Sequence, residues 1–351
     1  MIVGRRPVML FAGTFWTGSS EAGLSQGFRD DGWCVQEAER SNYWSPPSDH
    51  LMLRVASRLS RKIAFKWYQK HILAECESLR PEVFFTVKGI GIDADLLRKI
   101  RLLGTRTIMY YPDFHFDHNN IDAESFSEYD LFITTKSFQI EYLANAISRE
   151  RVAYVPHGFS PSVHRPIYPA LSKDFFVTDV IHAGNHSSYK QQWLANAASA
   201  LPEVSFRIIG SNWRVNAGDG PLSKADMPGP KIGVAYAQAI QTARINVAVH
   251  MGETSSGWAD LVSTRTFEIP ACGGFMLHID NMEVREFYTP GVEIDVFQSH
   301  QELTDKIKFY LSRPDLRAKM IARAYERCVP HYSYNNRAKV VSDLLKEKGI
   351  V

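Results

Sequence analysis

An acidic side chain and two neighbouring glycines lie close together in the segment RTFEIPACGGFML, residues 265–277. The carboxylate of Glu268 can accept hydrogen bonds from both hydroxyl groups of a ribose diol. The backbone N–H groups at Gly273 and Gly274 can approach an anion because no side chain stands in the way. These residues favour a turn that binds phosphate beside a carboxylate that binds a diol. The structural alternative is a helix C-cap, which paired glycines between a helix and a strand commonly form.

A loop near the start of the chain is a second candidate ligand site. The segment FAGTFWTGSS, residues 11–20, contains Gly13 and follows a predicted strand. We therefore expect it at the carboxyl edge of a sheet, where open α/β folds bind ligands. It is not a GxGxxG fingerprint, so it predicts no dinucleotide site.

The segment YYPDFHFDH, residues 110–118, also follows a predicted strand and concentrates two aspartates and two histidines. Its polar residues are Asp113, His115, Asp117 and His118. Contact of Asp113 and His115 with a sugar or an acceptor is the interpretation we favour. Ligation of a metal ion, and a polar loop without chemistry, are the alternatives.

Basic side chains accumulate between Asp49 and Glu75, a stretch without any acidic residue. They are Arg54, Arg58, Arg61, Lys62, Lys66 and Lys70, and apolar residues interleave with them. A basic amphipathic helix of this kind can lie on an anionic membrane or hold a phosphorylated acceptor. The alternative is the solvated face of a surface helix. Residues 54–70 are therefore our candidate for peripheral membrane contact.

The elements that must position these groups alternate between short apolar runs and longer amphipathic stretches. In the first half, predicted strands cover residues 8–12, 83–87, 106–111, 131–135 and 152–155, and predicted helices cover residues 19–31, 93–103 and 137–147. In the second half, predicted strands cover residues 177–182, 205–209 and 245–249, and predicted helices cover residues 190–200, 234–242 and 301–312. This alternation predicts an α/β fold with mostly parallel sheets that are covered on both faces.

Two domains are expected because 351 residues exceed one ordinary hydrophobic core. An irregular stretch with four prolines, residues 156–174, is the natural hinge. We predict an N-terminal Rossmann-like domain of residues 1–160 and a C-terminal Rossmann-like domain of residues 161–330. The last helix, at about residues 331–351, is expected to cross back to the N-terminal domain.

The composition argues against several classes of protein. A net charge of +2 does not require a polyanionic partner. No apolar run approaches the ~20 residues that span a bilayer, and the N-terminus lacks the pattern of a signal peptide. The four cysteines are far apart and form no CxxC pair, which argues against disulfides and zinc. We expect a cytoplasmic setting, with membrane association left open.

The segment RTFEIPACGGFMLHIDNMEVREFYTPGVEIDVF and the helix after it resemble group 1, family 4-like glycosyltransferases of the GT-B fold. Within that group, the spore-maturation-protein-like branch is the most similar. The resemblance continues through LSRPDLRAKMIARAYERCVPHYSYNNRA, is visible in VPHGFSPSVHRP, and covers about residues 155–345. It implies two Rossmann-like domains facing a cleft. It also implies a nucleotide-sugar donor, retention of the anomeric configuration, and no metal or other cofactor.

The resemblance also implies roles for individual residues of the second domain. Related retaining enzymes have an E-x7-E pattern, in which the first acid reaches the donor sugar and the second binds the ribose. Here Asp260 and Glu268 occupy these positions, so the pattern is D-x7-E. The family places a cation after the first strand of this domain, where this chain has AGNHSSYK, a segment that begins just before Gly184. Lys190, with Arg265 as a second candidate, would stabilise the charge on the leaving diphosphate.

Transfer of a sugar from a nucleotide-sugar donor to a polysaccharide, lipid-linked glycan or other acceptor is therefore the predicted function. The catalytic candidates are Asp260, Lys190, Asp113 and His115, and the donor-binding candidates are Glu268, Gly273, Gly274, Arg265, Gly184 and Gly13. A nucleotide-sugar epimerase of the same fold and an enzyme that modifies nucleic acid are alternatives. The departure at Asp260 also keeps a non-catalytic binding protein open. The sequence does not specify the base, the sugar, the acceptor or the oligomeric state.

Overall fold

The computed structural model describes residues 5–44, 51–116, 121–169, 175–217, 220–255 and 257–351, without the side chains of residues 51–59. The chain forms two compact units. Unit 1 contains Met1–Pro156 together with Tyr334–Val351, and unit 2 contains His157–Ser333. The C-terminal segment therefore crosses back to the first unit.

Unit 1 is built on a six-stranded parallel sheet with the strand order β2-β1-β3-β4-β5-β6. Its strands are β1 Val8–Gly13, β2 Cys34–Glu39, β3 Val83–Val87, β4 Arg106–Tyr111, β5 Leu131–Thr134 and β6 Val152–Tyr154. Its helices are α1 Ser20–Asp30, α2 Leu51–Leu79, α3 Ala94–Leu102, α4 Ile140–Ile147 and α12 Tyr334–Glu347. The central strands are apolar and buried along their whole length, because helices cover both faces of the sheet.

The sequence pattern did not predict β2. This strand, CVQEAE, pairs only with β1, and most of its side chains are at least partly exposed. An edge strand needs no continuous apolar run, since half of its surroundings are solvent. The apolar pattern on which the prediction depends is therefore missing from it.

The C-terminal helix α12 packs against α1. The indole N–H of Trp33 donates a buried hydrogen bond to Ser342 Oγ at 2.9 Å. A Cβ atom on Gly23 would lie 2.6 Å from the ring of Tyr334, so only a glycine permits this approach. Contacts of this kind make α12 a part of the N-terminal core.

Unit 2 is built on a five-stranded parallel sheet with the strand order β11-β10-β9-β7-β8. Its strands are β7 Thr178–Ala183, β8 Phe206–Ile209, β9 Ala243–Ala248, β10 Met276–Ile279 and β11 Asp295–Phe297. Its helices are α5 Ser188–Ala200, α6 Trp213–Asn216, α7 Gly233–Gln241, α8 Thr264–Ala271, α9 Met282–Phe287, α10 His300–Leu311 and α11 Pro314–Cys328.

Each sheet has one point at which the strand order reverses. In unit 1 the chain runs from β1 outward to β2 and then places β3 on the other side of β1. In unit 2 it runs from β7 to β8 and then places β9 on the other side of β7. Open parallel sheets bind ligands beyond the carboxyl ends of their strands at such a switch point, because the flanking loops diverge there. The ends of β1 and β7 are therefore the places to search for a site.

Candidate functional site

The loop after β7 is fixed at several backbone positions. The N–H of Gly184 donates to the oxygen of Ile209 at 2.8 Å, and the Gly184 oxygen accepts from the indole N–H of Trp213 at 2.6 Å. Ser187 caps α5 by accepting a hydrogen bond from the Lys190 N–H at 3.3 Å. These bonds hold the loop at the switch point of unit 2.

The Lys190 side chain turns back from α5 under this loop. The residue is 6% exposed, and its Nζ donates to the oxygen of Asn185 at 3.0 Å. Burial and, to a smaller extent, the charge of Arg265 lower the pKa of Lys190 to about 8, and the charge of Asp260 opposes them. The sequence-predicted residues Lys190, Arg265 and Asp260 therefore interact electrostatically in one place. An ammonium group has three donors, and the bond to Asn185 uses one of them.

Helix α8 begins next to Gly184. Ser263 caps it, and a capping box joins Ser263 to Thr266. A Cβ atom on Gly184 would lie 3.5 Å from Cζ of Arg265, which is the second residue of the helix. The guanidinium group and the positive end of the helix dipole thus act on the same region as Lys190. Such a concentration of positive charge suits a phosphate group.

Glu268 lies one turn further along α8 and already has protein partners. The phenolic O–H of Tyr236, on α7, donates to Glu268 Oε2 at 2.9 Å. The buried His164 places Nε2 3.7 Å from Oε1. Burial lowers the pKa of His164 and the Glu268 charge opposes this effect, so the histidine is neutral near pH 7. A carboxylate has about four acceptor positions, which leaves capacity for the predicted ribose diol.

Gly273 and Gly274 do not have the role that we predicted. The Gly273 N–H donates to the oxygen of Pro270, and the Gly274 N–H donates to the oxygen of Ile269, each at 3.0 Å. This is a Schellman C-cap of α8, with Gly273 at a φ of +75°. Both amides are used by the end of the helix, and they lie at the opposite end of α8 from Arg265. The prediction that they bind a diphosphate is therefore corrected in favour of the structural alternative.

His182, which the sequence analysis did not name, lies in the centre of this region. It is 1% exposed on β7, and its Nδ1 lies 2.9 Å from the oxygen of Val247 on β9. Burial lowers the pKa of His182 to about 3, and the charges of Lys190 and Arg265 act in the same direction. The available signal was a histidine just before the end of an apolar strand.

Two further buried histidines connect the strand ends to α8. Nε2 of His250 lies 2.8 Å from Nε2 of His278, and Nδ1 of His250 lies 3.1 Å from Ser263 Oγ. Thr266 Oγ1 is 3.0 Å from His278 Nε2. Burial lowers the pKa of His278 to about 4. Because Ser263 and Thr266 are also the capping residues of α8, this network fixes the end of the helix that carries Arg265.

The switch point of unit 1 has a buried carboxyl group beside Gly13. A Cβ atom on Gly13 would lie 2.9 Å from Cγ of Glu21, in the first turn of α1. Burial raises the pKa of Glu21, while the charges of Lys88 and Arg40 oppose this effect. Arg40 in turn donates to Thr14 Oγ1 at 2.7 Å. Gly13 thus lies at the carboxyl end of β1, next to charged side chains.

Asp113 and His115 follow β4 but differ in their surroundings. The Asp113 carboxylate pairs with Lys88 Nζ at 3.0 Å, and both side chains are partly exposed. His115 is exposed, and its carbonyl oxygen accepts a hydrogen bond from the Tyr111 hydroxyl. Asp117 and His118 lie outside the described residues. Within the described part of the chain, no group of three His, Cys, Asp or Glu side chains could hold a metal ion.

Comparisons with known proteins agree with this architecture. A family model described as "Glycosyl transferase-like" matches residues 189–343, which include Lys190, Asp260, Arg265 and Glu268. Sucrose-phosphate synthase from Thermosynechococcus elongatus superposes with a TM-score of 0.64 at 14% identity, over 98% of this chain and 99% of that chain. HepE of Anabaena in complex with UDP-glucose gives a TM-score of 0.65 at 12% identity, over 97% and 99%.

A glycosyltransferase from Rickettsia africae gives a TM-score of 0.62 at 11% identity, over 97% of this chain and 98% of that chain. No curated protein sequence matches this chain significantly. Identities this low establish the fold alone. The predicted fold class is confirmed: the chain has two Rossmann-like α/β domains of the GT-B type, with the C-terminal helix in the N-terminal domain.

Proposed function

We propose that this protein is a glycosyltransferase that binds a nucleotide-sugar donor at the switch point of unit 2. The observation that carries the proposal is the concentration of Lys190 and Arg265, with Asp260, around the loop after β7. The match of residues 189–343 to the "Glycosyl transferase-like" model supports it. The UDP-glucose complex of the structurally similar HepE indicates the class of donor.

Each residue of the proposed donor site has a distinct task. Lys190 and Arg265 bind the diphosphate and stabilise the negative charge that develops on it as the glycosidic bond breaks. Glu268, oriented by Tyr236, accepts hydrogen bonds from the ribose hydroxyls. Asp260 accepts a hydrogen bond from the transferred sugar; its shorter side chain, compared with glutamate, requires the sugar to approach more closely.

A ligand screen tests this proposal. We expect one of UDP, GDP, dTDP, ADP or CMP, or a corresponding sugar nucleotide, to raise the melting temperature, because a ligand that binds the native state stabilises it by mass action. The selected donor is then incubated with glycan and lipid-linked acceptors. A well-folded sample that none of these nucleotides stabilises would disprove the donor site.

The acceptor is proposed to bind unit 1 at the end of β1 and β4. Asp113, held by Lys88, and the exposed His115 are the groups proposed to contact it. We further propose transfer with retention of configuration and without a metal ion, as in the group 1, spore-maturation-protein-like enzymes that the sequence resembles. Proton NMR of the first product formed establishes its anomeric configuration, and activity in EDTA tests the need for a metal.

We propose that the enzyme is cytoplasmic and associates with an anionic membrane through the exposed face of α2. Ile63 and Trp67 are 62% and 59% exposed, and Lys62, Lys66 and Lys70 are exposed beside them. Large apolar side chains among lysines are typical of helices that lie in a membrane interface. No helix in the described part of the chain is both long and apolar enough to span a bilayer. The side chains of Arg54 and Arg58 lie outside the described residues.

Epimerisation of a nucleotide sugar is the second candidate function. A protein from Listeria monocytogenes that is described as a putative UDP-N-acetylglucosamine 2-epimerase superposes with a TM-score of 0.56 at 8% identity, over 99% of this chain and 98% of that chain. An epimerase converts its sugar nucleotide without an acceptor. Mass-neutral conversion of the selected donor in the absence of acceptor would therefore favour this function over transfer.

A further inference from the structure

The segment HGFSPSVHRP, residues 157–166, contributes a buried histidine to unit 2. This histidine, His164, is 5% exposed. A buried imidazole needs partners for its ring nitrogens, because a buried polar group without a hydrogen-bond partner costs free energy. The partners of the two nitrogens therefore indicate what His164 does.

The segment folds back on itself at His164. The N–H of Ser160 donates to Nδ1 of His164 at 3.0 Å, and the N–H of His164 donates to the oxygen of Ser160 at 2.8 Å. A backbone N–H can only donate, so Nδ1 is the acceptor nitrogen of the ring. In the neutral ring the proton then lies on Nε2. The fold of the segment thus makes Nε2 a donor.

This donor faces Glu268. Nε2 of His164 lies 3.7 Å from Oε1, while the Tyr236 hydroxyl donates to the other oxygen, Oε2, at 2.9 Å. The imidazole and phenol rings also pack edge to face, with their centroids 5.6 Å apart. A distance of 3.7 Å is longer than an ordinary hydrogen bond, so the Nε2–H group attracts the carboxylate electrostatically. One donor thus faces each oxygen of Glu268.

Helix α7 positions both donors. The backbone N–H groups of Ile167 and Tyr168, which follow His164 closely, donate to Oε1 of Gln241 at 2.8 and 3.0 Å. Gln241 is the last residue of α7, and Tyr236 lies on the same helix. The segment that carries His164 is therefore fastened to the helix that carries Tyr236.

Glu268 remains accessible to a ligand between these donors. Its side chain is 13% exposed, so a hydroxyl group can reach it from the solvent. A carboxylate has about four acceptor positions, two on each oxygen. Among the described residues, one side-chain donor faces each oxygen, which leaves about one position on each. Two neighbouring hydroxyl groups, as in the 2′,3′-diol of a ribose, can occupy both positions at once.

We propose that His164 is a positioning residue of the donor site, which together with Tyr236 orients Glu268 to bind both hydroxyl groups of the ribose. The inference rests on the proposed function. It predicts a ribonucleotide donor, because a 2′-deoxynucleotide leaves one acceptor position of the carboxylate without its partner. His164 acts on the ligand through Glu268, so its replacement should affect recognition of the ribose in particular.

Two substitutions of His164 separate the roles of its ring nitrogens. His164→Asn places a carbonyl oxygen near the position of Nδ1, where it can accept from Ser160, and removes the donor that faces Glu268. His164→Gln places an amide N–H near the position of Nε2 and keeps that donor. Calorimetry measures binding of UDP and 2′-deoxy-UDP, or of the nucleoside diphosphate that the ligand screen selects and its 2′-deoxy form. The control is His300→Asn, at an exposed position of the same unit.

We expect the wild type to bind the ribonucleotide about tenfold more tightly than its 2′-deoxy form, because one hydrogen bond to a charged acceptor is lost. His164→Asn should reduce this preference to about threefold or less, through weaker binding of the ribonucleotide. His164→Gln and the control should keep most of the preference. The preference is a ratio of two affinities of one sample, so it does not depend on the folded fraction.

An unchanged preference in His164→Asn would contradict the inference, and equal losses for both ligands would assign a purely structural role to this histidine. If His164→Asn does not fold, loss of the preference in a folded His164→Gln would contradict it as well. A wild type that binds both forms equally, or that selects dTDP in the screen, would show that Glu268 does not bind both ribose hydroxyls. A wild type that binds no nucleotide at all would instead disprove the proposed function.

Discussion

The phenolic O–H of Tyr236 donates a hydrogen bond of 2.9 Å to Glu268 Oε2. Tyr236 lies on α7 and Glu268 on α8, so this bond fixes the carboxylate between two helices. Glu268→Gln keeps an oxygen that can accept from Tyr236 but removes the negative charge. We expect it to bind the selected nucleotide about tenfold to a hundredfold more weakly, because hydrogen bonds to a charged acceptor are the stronger ones.

Calorimetry measures this loss, and Tyr236→Phe is the matched control. That variant removes the orienting hydroxyl but leaves the charge of Glu268, so its affinity should fall less. Wild-type affinity in Glu268→Gln would remove this residue from the donor site.

The affinity for the donor should depend on pH through Lys190. Its pKa is about 8, so the side chain is mostly charged at pH 7 and loses its charge as the pH rises toward 9. We expect the affinity for UDP-glucose, or for the selected donor, to decrease across this window. Titrations at several pH values measure the effect.

Lys190→Arg and Lys190→Met provide the controls for this pH dependence. The arginine remains charged throughout the window and should give a flat profile. The methionine should give a flat profile with low affinity at every pH. An unchanged slope in either variant would assign the titration to another group.

The buried histidine network should make unfolding sensitive to acid. The pKa of His278 is about 4 in the folded protein and near the ordinary 6.5 in the unfolded chain. Below pH 6.5 the unfolded chain therefore binds a proton that the native state does not. Above pH 6.5 the ring is neutral in both states and the free energy of unfolding has its full value. It decreases as the pH falls from 6.5 toward 4.

Urea denaturation across this range tests the assignment. In His278→Gln the free energy of unfolding should change less steeply with pH than in the wild type. The slope can decrease by at most about 1.4 kcal/mol per pH unit, which is the limit for one proton. His300→Gln, at an exposed position, should leave the slope unchanged. Equal slopes in both variants would mean that His278 does not titrate in this way.

The bond between Trp33 and Ser342 predicts that α12 stabilises the N-terminal unit. Ser342→Ala leaves the buried indole N–H of Trp33 without its acceptor, which should cost about 1–3 kcal/mol of unfolding free energy. The double variant Trp33→Phe/Ser342→Ala should be less destabilised than the two single effects added together. Strictly additive effects would show that the two side chains are not coupled.

The exposed face of α2 predicts binding to anionic vesicles. Replacement of Lys62, Lys66 and Lys70 by glutamate should weaken binding at least tenfold, because each lysine near such a surface contributes about 1 kcal/mol. Co-sedimentation with vesicles of phosphatidylcholine, with and without phosphatidylserine, measures it. The same reversal at Lys231, Lys308 and Lys319, which are exposed in unit 2, is the control. Equal binding by both triple variants would contradict a membrane face on α2.

The sequence by itself determined the class of the fold. Buried strands of parallel sheets are continuous apolar runs, and the helices between them are amphipathic, so both are visible in local pattern. For this reason β3, β4 and β7 were predicted nearly to the residue, while the half-exposed edge strand β2 was not. The resemblance around Glu268 added the prediction of a donor site that includes Lys190, Arg265 and Asp260.

Only the tertiary structure decided what these groups contact. The amides of Gly273 and Gly274 are used by the C-terminus of α8, a fact that depends on where the helix ends. In the sequence, His182 is a single polar residue in an apolar strand. In the structure, β9 supplies the carbonyl of Val247 beside its ring, and α8 brings Arg265 to Gly184. Burial follows from local periodicity, whereas hydrogen-bond partners come from segments that are distant in the chain. The hydrogen-bond partners could therefore be identified only from the tertiary structure.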